Sequence, residues 1–287
     1  MATRASFRGI SRRLFSMQSS LQAQVNTTSL SAFDANHSLY DKFRPTHYKP
    51  AVDALIKHLA LPPAANVIDL GAGTGKFTEL IAGRGFNLSA VEVSDGMLAT
   101  FRKKLPDIPA LKGSSYDIPV ADHSVDAIFI AQAFHWFADL EALAEFHRVL
   151  KTQGKLALVW NFDPKPDKSS VWQYEVAELC WSYEDPDAAP QFRHMRWKEV
   201  FETEKAAELF EVPLQQETVY WSYKTRPEDV FQLWLTKSYI TNLPESEQAV
   251  VKAKIEKILR DKATPELDAD GLLDIRMGVY LTWTAAK

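Results

Sequence analysis

Apolar and polar positions along the chain sort into short buried runs separated by helical patterns. The run Asn66-Val67-Ile68-Asp69-Leu70 reads as a buried strand. It breaks into the alternating glycines Gly71, Gly73 and Gly75, and a helical pattern opens at Thr78, Glu79, Leu80 and Ile81. Upstream, Val52, Leu55, Ile56 and Leu59 recur at helical spacing. Further strands are expected at 87–93, ending at Glu92, and at 110–113, 125–131, 155–160 after Gly154, 217–223 and 274–285. Helices are expected at 139–150, with Leu140, Leu143, Ala144, Phe146 and Leu150 inward, and at 171–183, 194–209, 227–242 and 245–262. Asp163-Pro164-Lys165-Pro166-Asp167 is a breaker-rich boundary. Five strand–helix units followed by a strand, helices and a last strand describe an α/β chain.

The glycine run carries the chemistry. Glycine suits such a turn because it admits positive φ and lets a ligand lie against bare backbone. The N–H groups of the helix start favour an anionic or electron-rich ligand group. A phosphate-cradling loop, Gly-x-x-x-x-Gly-Lys-Ser/Thr, fails because Leu70 stands at its first glycine and Phe77 replaces its hydroxyl. The dinucleotide fingerprint Gly-x-Gly-x-x-Gly fails at Lys76. The pattern Asp-x-Gly-x-Gly-x-Gly is met in full by Asp69, Gly71, Gly73 and Gly75; an ordinary βα turn is the plain alternative. Glu92 follows at the spacing of an acid that accepts hydrogen bonds from ribose hydroxyls, with a surface glutamate as the alternative. Ser94 is placed to N-cap the next helix, with Met97 and Leu98 on its buried side.

Composition narrows the partners. At 287 residues the chain can bury a full core as one large domain, or one domain with an inserted cap. A net charge of −4 gives no support for nucleic acid as a partner. A single cysteine, Cys180, excludes an internal disulfide and a cysteine zinc site; with no other ligand constellation in view, no metal is expected. No apolar stretch approaches the length of a membrane span. Residues 1–33 hold no acid and no lysine, but Arg4, Arg8, Arg12 and Arg13 stand among serines and apolar side chains. That is the description of a transit peptide, and a mitochondrial location is expected; a plain disordered tail, or a cytoplasmic protein started at Met17, is the alternative. The folded part is expected at 38–287, with a cofactor-binding core at 38–160 and C-terminal strands and cap at 161–287.

With Asp69 and the three glycines in place, the chain resembles the class I S-adenosylmethionine-dependent methyltransferases. Two further elements resemble the type 11 group that includes trans-aconitate methyltransferases. Tyr40-Asp41-Lys42-Phe43-Arg44-Pro45-Thr46-His47-Tyr48 is similar to its Tyr-Asp-x-x-Arg-Pro-x-Tyr signature, and Gln132-Ala133-Phe134-His135-Trp136-Phe137 to its element at the end of the fourth strand. The resemblance implies a Rossmann-like, seven-stranded sheet with an antiparallel seventh strand, helices on both faces and a C-terminal helical cap. It implies S-adenosyl-L-methionine held by Tyr40, Arg44, Asp69, Gly71, Gly73, Gly75, Glu92, Met97, Ala131 and Gln132. At the adenine loop the family's Gly-x-Ala-Glu-x-Leu-Pro is replaced, with Ser115 and Tyr116 at the Ala-Glu positions. Stacking by Tyr116 and acceptance from the adenine amino group by Asp117 are the substitutes.

A small-molecule acceptor is implied, with Arg44, Tyr48, His135, Trp136 and Tyr239 around it and His135 as the catalytic candidate. Methylation of a carboxylate oxygen is the first expectation, because an arginine fork binds both oxygens. A phenol, a thiol, another small molecule, or a regulatory cofactor-binding protein without transfer activity are the alternatives. The histidine separates these cases. A phenol, with a pKa of about 10, calls for a base; a carboxylate, at about 4, is already ionised. The oligomeric state is open.

Overall fold

The computed structural model describes residues 43–184 and 191–287. The expected N-terminal segment and Tyr40 lie outside the described residues. Seven strands form one sheet: β1 (Asn66–Leu70), β2 (Asn87–Glu92), β3 (Ala110–Lys112), β4 (Val125–Ala131), β5 (Leu150–Phe162), β6 (Gln215–Thr225) and β7 (Leu273–Ala285). Their order is β3-β2-β1-β4-β5-β7-β6. The first five run parallel, and β7 lies antiparallel between β5 and β6. The central strands are near-continuous apolar runs because both faces of a parallel sheet are covered. Ile128 and Ile130 join Ile68, Phe134, Phe146 and Trp160 on one face. Phe129, between them, joins Val67, Val159, Leu55 and Ile81 on the other.

The helices are α1 (Lys49–Leu59), α2 (Thr78–Ile81), α3 (Asp95–Lys104), α4 (Leu140–Val149), α5 (Val171–Trp181), α6 (Glu204–Leu209), α7 (Val230–Leu235), α8 (Ser238–Thr241) and α9 (Glu245–Ile258). In α1, Val52, Leu55 and Leu59 are fully buried, each contributing about 1.5–3 kcal/mol of apolar burial. Ser94 caps α3 as expected, its Oγ accepting from the Met97 N–H at 3.1 Å.

Several expected helices come out shorter. α2 is a single turn, since Ala82 turns extended and Gly83 and Gly85 take positive φ. A one-turn helix carries little macrodipole, so the anion preference expected of its start is weak. Asp139 caps α4, and its register turns Ala142 and Val149 inward while Leu140 and Ala144 are exposed. The 194–209 stretch divides at Thr203, which ends the 3₁₀ helix Arg196–Glu202 and caps α6. The 227–242 stretch divides at Lys237, whose backbone is extended. The 245–262 stretch widens into a π-turn at Leu259–Ala263, ahead of Pro265.

The length of β7 places the cap. β5 ends with Phe162 opposite Gly278, whereas Leu273–Met277 continues past it, paired only with β6. That overhang rises beyond the carboxyl ends of the parallel strands. α5, α7 and α9 settle on it through Trp172, Val176, Trp234, Val251 and Ile255 against Ile275 and Met277. Gln173 locks the joint: its amide donates to Arg276 O at 2.6 Å and accepts from Arg276 N at 3.0 Å.

Candidate active site

Two cavities meet at the carboxyl ends of β1, β4 and β5. The first, about 150 Å³, is a crevice against the glycine loop. Gly71 and Gly73 have φ of 69° and 58°, conformations that favour glycine. A Cβ on Gly71 would stand 3.1 Å from Ala133 Cβ, and one on Gly73 3.3 Å from Met97 Sδ. Both residues line the crevice.

Gly75 differs. Its φ is 88°, and a Cβ there would meet Leu105 Cδ1 at 2.7 Å and Phe101 at 3.0 Å, beneath the loop. Its glycine is required for packing, and it does not line the crevice as the sequence pattern suggested. Gly75→Ala is therefore expected to destabilise the fold by about 1–3 kcal/mol while changing ligand affinity of the folded protein much less. Chemical denaturation beside calorimetry checks this. Unchanged stability with lost affinity would return Gly75 to the ligand surface.

Glu92, at the end of β2, is buried and holds the loop in place. Oε2 accepts from Gly73 N at 2.8 Å; Oε1 accepts from Val93 N at 2.9 Å and Ser94 N at 2.8 Å. Asp69 is buried beside the loop. Its Oδ2 accepts from Thr78 Oγ1 at 2.5 Å, and its buried Oδ1 has no partner among the described residues. Burial, with Glu92 adding to it, pushes its pKa up to about 7. A cation at Oδ1 would restore the charged form. Bare glycine backbone, a carboxylate at ribose distance in sequence and an acid lacking its counter-charge fit a nucleoside with an amino-acid arm.

At the other strand ends, Met97, Ser115, Tyr116, Ala131 and Gln132 line the crevice. Tyr116 Oη donates to Asp139 Oδ2 at 2.7 Å, which fixes the ring. Asp117 does not line it; its backbone is paired with Ser114 in a tight turn. Gln132 is held at φ 60°, with its N–H on Val159 O and its amide on Asn161 O. It and Trp136 line both the crevice and the second cavity.

The second cavity is a chamber of about 490 Å³ under the cap. His135, Trp136 and Tyr239 line it, as does Arg44, which stands on the chamber side rather than in the crevice. Arg44, Lys165, Arg193 and Lys237 bring four cations. Lys237 pairs with Asp163 at 2.9 Å, and Arg193 with Glu184 while lying over Trp181 at 5.2 Å. Burial pulls the Lys237 pKa down, and Asp163 opposes that.

Among the described residues His135 has one hydrogen bond: Trp160 Nε1 donates to its Nδ1 at 3.1 Å. An indole N–H only donates, so Nδ1 is the unprotonated nitrogen and the neutral ring carries its proton on Nε2. Burial, then Arg44 and His194, pull its pKa down to about 3. In this tautomer the ring presents an N–H at Nε2.

Tyr48 is not at the site. Its ring stacks on Trp221 at 5.4 Å, 10° from parallel. Counting Arg-Pro-x-Tyr from Arg44 reaches position 47, and it is His47 that lines the crevice. Asp163, Arg193 and Trp181 had no sequence signal as site residues. Asp163 and Lys237 are 74 residues apart and meet only through the fold. Among the described residues no group of His, Cys, Asp or Glu is arranged to hold a metal, and no helix is long and apolar enough to cross a membrane.

Comparison with known proteins agrees with this geometry. A family model described as a methyltransferase domain matches residues 68–158. A methyltransferase-like protein of Schizosaccharomyces pombe is 34% identical over 232 residues, 80% of this chain and 87% of that protein. A trans-aconitate 2-methyltransferase of an Acidovorax species is 33% identical over 162 residues, 55% of this chain and 62% of that protein. The crystal structure of the YcgJ protein from Bacillus subtilis superposes with a TM-score of 0.52 at 18% identity, covering 84% of this chain and 99% of that one; it shares the fold.

Proposed function

Because the chain belongs to the class I S-adenosylmethionine-dependent methyltransferases of the type 11 group, we propose that its acceptor is a small organic carboxylate, methylated on oxygen. When bound, S-adenosylmethionine would supply an electrophilic methyl group, and Gln132 and Trp136, which line both crevice and chamber, stand where the two cavities meet. The protein's task is to hold an acceptor oxygen there, dry and aligned.

The observation that carries the reading is the Trp160–His135 hydrogen bond. With Nδ1 occupied as acceptor, His135 offers the chamber an N–H and cannot take a proton at Nε2. A carboxylate needs such a donor and no base; a neutral phenol or thiol needs the reverse. The chamber lining brings four cations against the single carboxylate of Asp163, a balance that favours an anionic acceptor. The name of the Acidovorax relative, a trans-aconitate 2-methyltransferase, is consistent with that chemistry.

The test is a pH–rate profile, measured with acceptors found by screening carboxylates, phenols and thiols with isotopically labelled cofactor. Cofactor is kept saturating, so that ionisation of Asp69 in the open crevice does not enter. His135, with its pKa pulled down to about 3, stays neutral throughout the range, and an acceptor carboxylate stays ionised. Transfer is therefore expected to be nearly flat from about pH 6 to 9. His135→Ala lowers the rate without altering that shape. A rate rising tenfold per pH unit through neutrality, with a limb that His135→Ala removes, would overturn the carboxylate reading.

A further inference from the structure

Where the crevice runs toward the chamber, a small cavity of about 40 Å³ lies between them, and His47, Lys76 and Gln132 line both it and the crevice. His47 is more than nine-tenths buried, and neither of its nitrogens has a hydrogen-bond partner among the described residues. Packing alone does not account for a histidine there. Phe77 meets its ring edge-on at 5.4 Å, a contact that an apolar ring makes as well. A buried polar atom without a partner costs about 1–3 kcal/mol, so the ring is better explained by a ligand that satisfies it.

The surroundings say what kind of ligand. Lys76 Nζ donates to the backbone oxygen of Arg44 at 3.1 Å, which anchors its ammonium to the segment that carries Arg44 and His47, and all three residues line the small cavity. Burial and these two cations pull the His47 pKa down to about 3, so the ring is neutral and keeps one N–H to donate. The same crevice carries the buried Asp69 Oδ1, the natural seat for an ammonium. An acid for a positive group, and a donor with two cations for a negative one, are the complement of an α-amino acid zwitterion. We propose that His47, with Lys76 and Arg44 beside it, is the receptor for the α-carboxylate of the cofactor's methionine arm.

The proposal makes no use of the acceptor's identity, and its test reads binding alone. Titration calorimetry would compare S-adenosylhomocysteine with its analogue lacking the α-carboxylate, on the full chain and on His47→Phe and His47→Gln. Phenylalanine keeps the packed ring and removes both nitrogens. Thermal unfolding of the free His47→Phe protein should match or exceed the parent, which separates a binding loss from a folding defect. His47→Phe is expected to weaken S-adenosylhomocysteine about tenfold or more, the value of one hydrogen bond to a charged group. The decarboxylated analogue should change by less than about twofold, and His47→Gln should retain part of the affinity. Equal losses on both ligands would overturn the assignment. So would an unchanged affinity for S-adenosylhomocysteine, including the case in which only the acceptor's KM moves, which would hand the subsite to the acceptor's carboxylate.

Discussion

Glu92→Ala is expected to lower affinity for S-adenosylhomocysteine by about 3 kcal/mol or more, a loss of a hundredfold or greater. Two effects add. Glu92 lines the crevice, where a bound ribose would find it as an acceptor, and its two oxygens already accept from the N–H groups of Gly73, Val93 and Ser94 at 2.8–2.9 Å. Removing the carboxylate therefore takes away a ligand contact and also releases the loop on which the ligand lies. Three backbone donors are left to find water in a largely buried setting, at about 1–3 kcal/mol each where they fail. The free protein should accordingly lose stability too, visible as a lowered urea midpoint. Glu92→Gln separates the two effects, since an amide oxygen can still serve one side of the carboxylate. Its NH₂ must then face an N–H donor on the other, so an intermediate affinity is expected. Calorimetry on both variants decides the matter: Glu92→Ala binding within threefold of the parent would remove Glu92 from the cofactor site.

The parts of this site that are local in sequence were legible there. β1, the glycine turn and Glu92 lie within 27 residues of one another, from Asn66 to Glu92, and their pattern fixes both backbone shape and chemistry. The strand pattern likewise gave β4 its bounds, because a strand buried on both faces is an uninterrupted apolar run. What depends on contacts between distant segments was not legible. Gly75 looks like Gly71 and Gly73 in sequence, and only its proximity to Leu105 and Phe101 shows that it packs under the loop. The neighbours His47 and Tyr48 were exchanged: one residue of register along this segment decides which ring enters the crevice and which stacks on Trp221. The helical periodicity of 227–242 gave no warning of the break at Lys237, where an extended residue carries its ammonium to Asp163. The tautomer of His135 was not legible from residue type alone, because the donor that sets it comes from β5.

That donor, Trp160, is the position at which stability and chemistry are most tightly joined. Its ring is wholly buried, with centroids 4.4 Å from Trp197 and 5.0 Å from Phe192. Trp160→Ala is expected to cost about 3–5 kcal/mol, since it opens a large cavity in the centre of the sheet's packed face. Trp160→Phe keeps most of that packing and removes only the indole N–H. His135 Nδ1 is then a buried acceptor without a donor, at a cost of about 1–3 kcal/mol. The ring has a way to reduce that cost: its proton can shift to Nδ1, leaving a lone pair at Nε2 facing the chamber. An acceptor carboxylate would then meet a repelling lone pair in place of a donor. Trp160→Phe should therefore slow methyl transfer to a carboxylate nearly as much as His135→Ala does, although Trp160 itself does not line the chamber. The double variant should be no slower than the slower single one, because both changes remove the same hydrogen bond to the acceptor. Transfer rates at saturating cofactor on the four proteins, with ¹⁵N spectra of the imidazole in the Trp160→Phe protein, measure both parts. Independent, additive losses with the ring still protonated at Nε2 would show that Trp160 supports the site through packing and that its N–H does not set the tautomer.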